Sequence, residues 1–280
     1  MKILVTGASG FIGNYVLDYL VNNTNHKIFA TSRNKEKVKD KMWYSKVQFF
    51  EADLYSNKSN FFEFFDNPDM LIHLAWCNLP NYDKSFHITE NLVKDILFLE
   101  NILDHGLKQL VVTGTCFEYG MQEGKLCETM VANPQNPYSI AKDALRKFLQ
   151  IKTAENNIRL LWLRLFYMFG KGQSPNSIIS QLEFAIQKGE KEFNMSGGDQ
   201  IRDYLPVENV AEYIVKCALC WEAIGIINIS SGKPIKLRDF IEDYLKTIGK
   251  DIKLNLGYYP YSAIEPMAFW GGDEKLKNII

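Results

Sequence analysis

A tyrosine and a lysine four residues apart form the pair in this sequence best suited to acid–base chemistry. Tyr138 and Lys142 follow Pro137, which suits the first position of a helix, so both side chains are predicted on one helix face, one turn apart. An unperturbed tyrosine ionises near pH ~10, and a nearby ammonium favours the phenolate and lowers that pKa. The pair is therefore predicted to exchange a proton with a carbonyl or hydroxyl oxygen, with Tyr138 as acid or base and Lys142 as its electrostatic partner.

A glycine-rich turn follows the first apolar segment of the chain. Gly7, Gly10 and Gly13 are evenly spaced, and Phe11 and Ile12 begin a helical pattern between the last two. Gly7 would allow a tight exit from a strand, Gly10 would let backbone N–H groups approach a pyrophosphate, and Gly13 would permit close packing of helix on strand. Because the turn lies directly after a predicted strand and before a predicted helix, it indicates a dinucleotide site rather than a purely structural turn.

The end of the second predicted strand bears on the choice of dinucleotide. An NAD site usually places an acidic residue there to hold the adenosine ribose 2′-hydroxyl. This chain has Ser32 and Arg33 instead, and both can bind a 2′-phosphate, the arginine through charge-assisted hydrogen bonds. The sequence therefore favours NADP(H), with NAD(H) as the alternative.

The elements that must position these residues are read from the alternation of short apolar runs with helical patterns. Strands that are apolar on both faces and separated by helices predict a doubly wound, Rossmann-like α/β fold with a parallel sheet covered on both sides. Such a fold brings its ligands to the carboxyl ends of the strands. The predicted strands are Lys2–Thr6, Lys27–Thr31, Val47–Glu51, Met70–Leu74, Gln109–Thr113 and Leu160–Phe166, with helices near 11–23, 84–105 and 137–155.

The pattern changes after a turn-rich break at Gly170–Pro175. Residues 1–170 are predicted to form the dinucleotide-binding domain, and residues 171–280 mainly a smaller substrate-binding lobe. In the second part, helices are predicted near 176–188, 207–222 and 237–248, and the strand Ile226–Ser230 is predicted to return to the sheet.

Composition excludes several classes of protein. The chain has 280 residues, and 32 Lys and Arg against 33 Asp and Glu leave no basic surplus for nucleic acid or an anionic membrane. Met1 leads directly into a strand pattern rather than a secretory signal, and no apolar run approaches membrane-spanning length, so the cytoplasm is the predicted location. Five cysteines predict no disulfide framework, and Cys217 and Cys220 are interpreted as reduced thiols rather than a metal site; no metal is expected.

Taken together, the two motifs give the chain a resemblance to the extended short-chain dehydrogenase/reductase family, in the branch that modifies nucleotide sugars. The resemblance covers nearly the whole chain. Further segments that match family landmarks are Ala52-Asp53-Leu54, His73-Leu74-Ala75-Trp76, Asn91, Val112–Gly120, Leu163–Phe166, Gly170 and Arg202-Asp203-Tyr204.

The resemblance implies roles for these residues. Thr115 takes the place of the family's catalytic serine or threonine, whose hydroxyl would bind the substrate oxygen, and Arg202 would contact the substrate pyrophosphate. Besides the glycine turn, Ser32, Arg33, Tyr138 and Lys142, the implied cofactor contacts are Asp53, Leu54, Leu74, Ala75, Trp76, Asn91, Thr113 and Phe166. The implied substrate contacts are Asn81, Tyr82, Thr115, Cys116, Phe117, Tyr167, Arg202 and Trp270.

Departures from the family pattern discriminate between its reactions. The resembling 4,6-dehydratases carry an Asp-Glu pair directly after the catalytic Ser/Thr, whereas this chain has Cys116 and Phe117, so dehydration is not expected. The 4-epimerases usually have the acidic residue on strand two and an asparagine where this chain has Tyr167. The missing acid favours an exchangeable NADPH and hence net reduction.

Two segments resemble the family's 4-ketoreductases of nucleotide-linked 4-keto-6-deoxyhexoses, as found in the synthesis of surface polysaccharides. They are residues 76–82 and 265–271. Packing in the core or the lobe would also explain the aromatic residues of both segments. The predicted function is therefore NADPH-dependent reduction of the C4 ketone of such a sugar. The resemblance also implies a homodimer formed through the helices near 84–105 and 137–155, although packing on the sheet would equally explain their apolar faces. The alternatives are an NAD-dependent 4-epimerase and a non-enzymatic dinucleotide-sensing protein; the latter would need neither Tyr138 nor Lys142.

Overall fold

The computed structural model describes residues 1–262 and 265–280 and places a seven-stranded parallel sheet at its centre. In chain order the strands are β1 (Lys2–Thr6), β2 (Lys27–Ser32), β3 (Gln48–Glu51), β4 (Met70–His73), β5 (Gln109–Thr115), β6 (Gly124–Leu126), β7 (Arg159–Leu165), β8 (Tyr167–Phe169), β9 (Glu192–Asn194), β10 (Ile201–Arg202), β11 (Tyr204–Pro206), β12 (Gly225–Ile229), β13 (Ile235–Lys236), β14 (Lys253–Asn255) and β15 (Phe269–Gly271). The helices are α1 (Phe11–Asn23), α2 (Phe61–Phe64), α3 (Val93–Asp104), α4 (Pro137–Glu155), α5 (Ile178–Gln187), α6 (Val207–Leu219), α7 (Leu237–Ile248) and α8 (Glu274–Lys277).

The strand order of the large sheet is β12-β7-β5-β4-β1-β2-β3, which confirms the predicted doubly wound α/β fold. The order reverses between β1 and β4, and ligands of such sheets bind at this switch point, outside the carboxyl ends of the strands. The turn after β1 and the end of β5 therefore face the same crevice.

The core lies on both faces of the sheet because successive residues of a strand point in opposite directions. Ile3 and Val5 of β1 pack beneath α1 and α6, whereas Leu4 packs with the residues of α3 and α4 on the other face. Burial on both faces explains why these strands are almost continuously apolar in sequence.

The remaining elements form a lobe with a core of its own. Residues of α5 and α7, such as Leu182 and Ile241, pack against Phe193 of β9. The strand expected near 226–230 is β12, which pairs with β7 at the edge of the large sheet. Helix α6 packs beside α1 on one face of the large sheet. The segment 171–280 therefore supplies a helix as well as the predicted strand to the dinucleotide-binding part of the fold.

Several boundaries differ from the predicted ones, and two of these differences concern α3 and β5. The helix expected from residue 84 begins with a single π-helical turn, His87–Leu92, before α3. Strand β5 extends to Thr115 rather than Thr113, since Gly114 and Thr115 still pair with Arg164 and Leu165 of β7. Within the described ranges, no helix is both long enough and apolar enough to cross a membrane.

Candidate active site

Tyr138 and Lys142 lie in the first turns of α4, where the sequence placed them. The Asn136 side chain accepts the Ser139 N–H at 2.9 Å and caps the helix, which starts at Pro137. Both functional side chains point inward and are nearly inaccessible, at 7% exposure for Tyr138 and 2% for Lys142. Lys142 Nζ donates a hydrogen bond to the Thr113 carbonyl oxygen at 2.9 Å, which ties the ammonium to the end of β5.

Thr115 completes this group as the last residue of β5. Its hydroxyl accepts the Phe117 N–H at 3.3 Å, and its own N–H donates to Glu118 Oε1 at 2.9 Å. These two contacts form a capping box that fixes the turn after the strand. The Thr115 side chain also acts on the Tyr138 phenol and partly offsets the rise of its pKa, so the three predicted catalytic residues lie in one group.

Burial decides the protonation behaviour of the pair. It raises the pKa of the Tyr138 phenol well above its ordinary value, and neighbouring Tyr82 and Glu118 act in the same direction. Burial also lowers the pKa of Lys142 to about 8, against the opposing charges of Asp95 and Glu118. The expectation that the ammonium would bring the tyrosine pKa down is therefore outweighed by desolvation. A phenol in this environment stays protonated and is suited to donate its proton.

The glycine turn after β1 has the predicted geometry. Gly7 adopts a φ of +75°, and a Cβ there would lie 2.9 Å from the Ala75 backbone nitrogen. A Cβ on Gly13 would collide with the Gly7 carbonyl, so α1 and β1 pack as closely as backbone allows. Gly10 is the N-cap of α1 and supplies no capping side chain, while Phe11 opens the helix. The open helix N-terminus and the close backbone packing fit the pyrophosphate of a dinucleotide.

At the far end of this site, the end of β2 is polar. Ser32 is buried and its hydroxyl donates to the Asn34 carbonyl at 3.2 Å, whereas Arg33 is exposed. Glu51 of β3 pairs in register with Ser32, and its carboxylate accepts the Lys35 N–H at 3.1 Å. Asp53 Oδ1 accepts the Tyr55 N–H in the next loop.

A buried polar network beneath the crevice escaped sequence reasoning. Thr6 Oγ1 lies 2.9 Å from His73 Nδ1, and His73 Nε2 lies 3.3 Å from Asp95 Oδ2. The Tyr55 hydroxyl donates to Asp95 Oδ1 at 2.8 Å. Thr6 Oγ1 also accepts the Leu74 N–H at 3.2 Å, so the network joins the turns after β1 and β4. His73 stood in a recognised motif, but nothing in the sequence marked Asp95 as its partner.

Glu118 is a second buried group whose role the sequence did not reveal. It is fully inaccessible and accepts hydrogen bonds from Trp162 Nε1 at 2.9 Å and Arg164 Nε at 2.8 Å. Together with its bond to the Thr115 N–H, this carboxylate links β5 to β7. The position of Thr115 therefore depends on the buried Glu118 carboxylate.

Aromatic rings form a wall around the phenol. The Tyr82 and Tyr138 rings are 5.3 Å apart, Tyr82 and Phe117 are 5.4 Å apart, and Phe117 and Tyr167 are 6.2 Å apart. Three predicted substrate contacts are thus brought beside the predicted acid. Cys116 is buried among them, which raises the pKa of its thiol.

Arg202 lies at the lobe side of this wall and is itself buried. Its Nη2 is 3.0 Å from Glu265 Oε2, and the same oxygen accepts a hydrogen bond from the Tyr167 hydroxyl at an O–O distance of 2.7 Å. The guanidinium carbon lies 4.4 Å from the centre of the Phe269 ring. Sequence reasoning named Trp270 as the contact of the late segment, but in the structure it is Phe269 that touches Arg202 and Tyr167.

Other predicted contacts serve the scaffold in this structure. The Asn91 amide donates to the Cys77 carbonyl at 3.0 Å, and the Asn81 amide donates to the Asn78 carbonyl at 3.0 Å. Phe166 is buried between the rings of Tyr119 and Phe269. Leu54, Leu74, Ala75 and Ile12 lie in or against the hydrophobic core beside the crevice.

Comparisons with known proteins agree with this geometry. The model of the NAD dependent epimerase/dehydratase family matches residues 3–229. The chain belongs to this family. Its resemblance to the nucleotide-sugar branch of the extended short-chain dehydrogenases/reductases is thereby confirmed.

Individual relatives are similar over three quarters or more of their lengths. A dTDP-6-deoxy-L-talose 4-dehydrogenase (NAD(+)) of Aggregatibacter actinomycetemcomitans is 30% identical over 97% of this chain and 99% of its own. A GDP-6-deoxy-D-talose 4-dehydrogenase of the same organism is 28% identical over 83% of this chain and 75% of its own. The fold matches the crystal structure of UDP-glucuronic acid 4-epimerase from Bacillus cereus, bound to UDP-glucuronic acid and NAD, with a TM-score of 0.85 and 21% identity over 100% and 92% of the two chains.

Proposed function

We propose that this enzyme interconverts a ketone and an alcohol at C4 of a nucleotide-linked 6-deoxyhexose, with net reduction of the 4-keto sugar. The observation that carries the proposal is the buried group of Tyr138, Lys142 and Thr115 beside the crevice of the glycine turn. Two relatives, 30% and 28% identical, are named as 4-dehydrogenases of 6-deoxytalose nucleotides, which supports both the carbon and the sugar class.

The side chains divide the reaction between them. The glycine turn and the N-terminus of α1 would hold a nicotinamide dinucleotide, which would supply the hydride for C4. Tyr138, protonated because burial raises its pKa, donates its proton to O4, and the Thr115 hydroxyl hydrogen bonds to the same oxygen. Lys142 stabilises the phenolate that is left, until solvent returns the proton. In the oxidation direction, the phenolate takes the proton from the C4 hydroxyl.

The residues after Thr115 argue against water elimination. Dehydration needs a carboxylic acid to protonate the leaving hydroxyl. Cys116 is a buried thiol with a raised pKa, and Phe117 has no ionisable proton, so neither side chain can protonate a leaving hydroxyl.

A cleft in the lobe is suited to the nucleotide half of the substrate. It has a volume of about 520 Å³ and is lined by residues that include Gln173, Ser180, Phe184 and Tyr259. The Phe184 ring is more than half exposed, which offers a face for stacking on a base. Gln173 Oε1 is buried and has no hydrogen-bond partner within the described part of the chain, so it can accept a hydrogen bond from a ligand.

The dinucleotide is inferred from two opposing observations. Exposed Arg33 and the absence of a carboxylate on β2 favour the 2′-phosphate of NADP(H). The 30% identical relative, in contrast, is named for NAD(+). We assign NADP(H) as the preferred dinucleotide on the residues of this chain, with a ratio of kcat/KM for NADPH over NADH above one as the measured criterion.

A 4-epimerase is the second candidate, since the matching family model includes epimerases in its name. Tyr138, Lys142 and Thr115 would serve both halves of an oxidation–reduction cycle if the dinucleotide stayed bound. Tyr167, hydrogen bonded to Glu265, occupies the place where epimerases have a substrate-contacting asparagine.

One experiment separates these functions. The purified enzyme is incubated with dTDP-, CDP- or GDP-linked 4-keto-6-deoxyglucose and NADPH or NADH, and the product is identified by NMR. Stoichiometric consumption of reduced dinucleotide with a new C4 hydroxyl is expected. Interconversion of UDP-glucose and UDP-galactose without net consumption would establish the epimerase, and tight dinucleotide binding without any turnover would establish a sensing protein.

A further inference from the structure

The indole ring of Trp76 contacts both members of the catalytic pair. Lys142 Nζ lies 4.0 Å from the centre of the ring, and the Tyr138 ring lies edge-on to it at 5.9 Å. We infer that Trp76 is a positioning residue: its ring face holds the Lys142 ammonium, and His87 holds the ring. This inference rests on the proposed function of Tyr138 and Lys142 and adds to it two residues that act through them.

His87 fixes the orientation of the indole. Trp76 Nε1 donates to His87 Nδ1 at 3.0 Å, and the Asn91 amide reaches the same nitrogen at 3.2 Å. Since Nδ1 accepts, the proton of the neutral imidazole is on Nε2, which donates to the Asn81 carbonyl at 2.9 Å. His87 is fully buried, and burial lowers its pKa, so this neutral tautomer is maintained.

The physical effect of the ring follows from its quadrupole. The face of an indole carries negative electrostatic potential, and its attraction for an ammonium grows when water is excluded. Lys142 is buried, and within the described residues its Nζ donates a hydrogen bond to the Thr113 carbonyl oxygen. A second side of the ammonium is therefore covered by a π face rather than by water.

Other charged groups act on Lys142 from the elements around it. Asp95 of α3 and Glu118 of the turn after β5 favour its charged form, and His87 of the π-helical turn is neutral. Neither carboxylate is hydrogen bonded to Nζ, since Asp95 binds Tyr55 and Glu118 binds Arg164. The Trp76 ring and the Thr113 carbonyl oxygen, in contrast, both lie at contact distance from the ammonium.

The direct test measures the Lys142 pKa by NMR in protein with carbon-labelled lysine, with the signal assigned through Lys142→Arg. Loss of the ring in Trp76→Leu is expected to lower that pKa by about one pH unit, the size of a desolvated cation–π contact. Trp76→Phe, which keeps a weaker π face, should shift it less. Equal Lys142 pKa values in the wild-type and Trp76→Phe or Trp76→Leu proteins would overturn the inference, whether or not turnover is found.

His87 is tested by a conservative and a disruptive variant. His87→Gln keeps an acceptor for Trp76 Nε1 and should retain the wild-type Lys142 pKa, whereas His87→Leu should lower it. Trp221→Leu is the matched control, because Trp221 is 77% exposed and its ring lies 5.2 Å from the guanidinium carbon of Arg159 at the surface. A shift as large in Trp221→Leu as in Trp76→Leu would also count against the inference.

Turnover gives a second readout. Reduction needs the charged form of Lys142, so the basic limb of kcat/KM for ketone reduction should follow the Lys142 pKa and move down by about one pH unit in Trp76→Leu. A purely structural role would lower the rate without moving the limb. Absence of turnover in the wild-type enzyme would refute the proposed function alone, since the NMR titration decides the role of Trp76 independently.

Discussion

The two ends of the crevice differ in how firmly their side chains are held. At the catalytic end, Tyr138, Lys142 and Thr115 are buried and each is fixed by neighbours on other elements. At the β2 end, Arg33 is exposed, and the Ser32 hydroxyl donates to the Asn34 carbonyl of its own loop. The chemistry is thus set by a preorganised interior, whereas the choice of dinucleotide depends on side chains that can change without disturbing the core.

The largest expected effect comes from removing the acid at the buried end. Tyr138→Phe keeps the ring and its packing but deletes the proton donor, so kcat should fall by ~10²–10⁴-fold while dinucleotide binding is retained. Steady-state kinetics and a dinucleotide titration measure the two quantities. A variant that reduces the 4-keto sugar at the wild-type rate would refute the assignment of Tyr138.

The next largest effect is expected on stability, from a change to Glu118, whose carboxylate holds the Thr115 N–H. Glu118→Gln leaves the buried Arg164 without its counter-charge, which should lower the free energy of unfolding by about 3 kcal/mol. Urea denaturation measures this, with Glu274→Gln at the surface as the matched control. Equal losses in both variants would show that burial does not distinguish the two carboxylates.

The buried lysine should make stability depend on pH. The pKa of Lys142 is about 8 in the fold against 10.5 unperturbed, so between these values the unfolded chain binds more protons and stability rises with pH. The difference in unfolding free energy between wild type and Lys142→Met should therefore grow in favour of the wild type, by about 1 kcal/mol per pH unit between pH ~8 and ~10. A difference that stays constant over this window would mean that Lys142 keeps its unperturbed pKa.

The smallest effect is expected at the exposed end. Arg33→Ala should raise the KM for NADPH about tenfold through loss of charge-assisted hydrogen bonds to the 2′-phosphate, and leave kcat and the KM for NADH unchanged. Initial rates with both dinucleotides measure this. If the KM values for NADPH and NADH rise together, Arg33 contacts a part that the two dinucleotides share.

Local patterns were sufficient for the seven strands of the large sheet, for the six longer helices and for the residues that a motif places by spacing, but not for the shorter strands and helices. Strand β1 and helices α1, α4 and α7 have the predicted bounds, and Tyr138 and Lys142 share a helix face because four residues make one turn. The networks around Asp95 and Glu118 could not be predicted, because their side-chain partners are 22 or more residues away in the chain. Which polar side chains meet in a core is decided by packing, not by spacing.

The sequence by itself determined the doubly wound fold, the glycine turn and the placement of the proposed acid–base pair on one helix face, since each depends on residues close together in the chain. Only the tertiary structure decided the state of that pair. Burial raises the pKa of Tyr138 and lowers that of Lys142, and the ring of Trp76 covers the ammonium. The physical reason is that desolvation depends on everything packed around a group, and the neighbours of this pair come from distant parts of the chain.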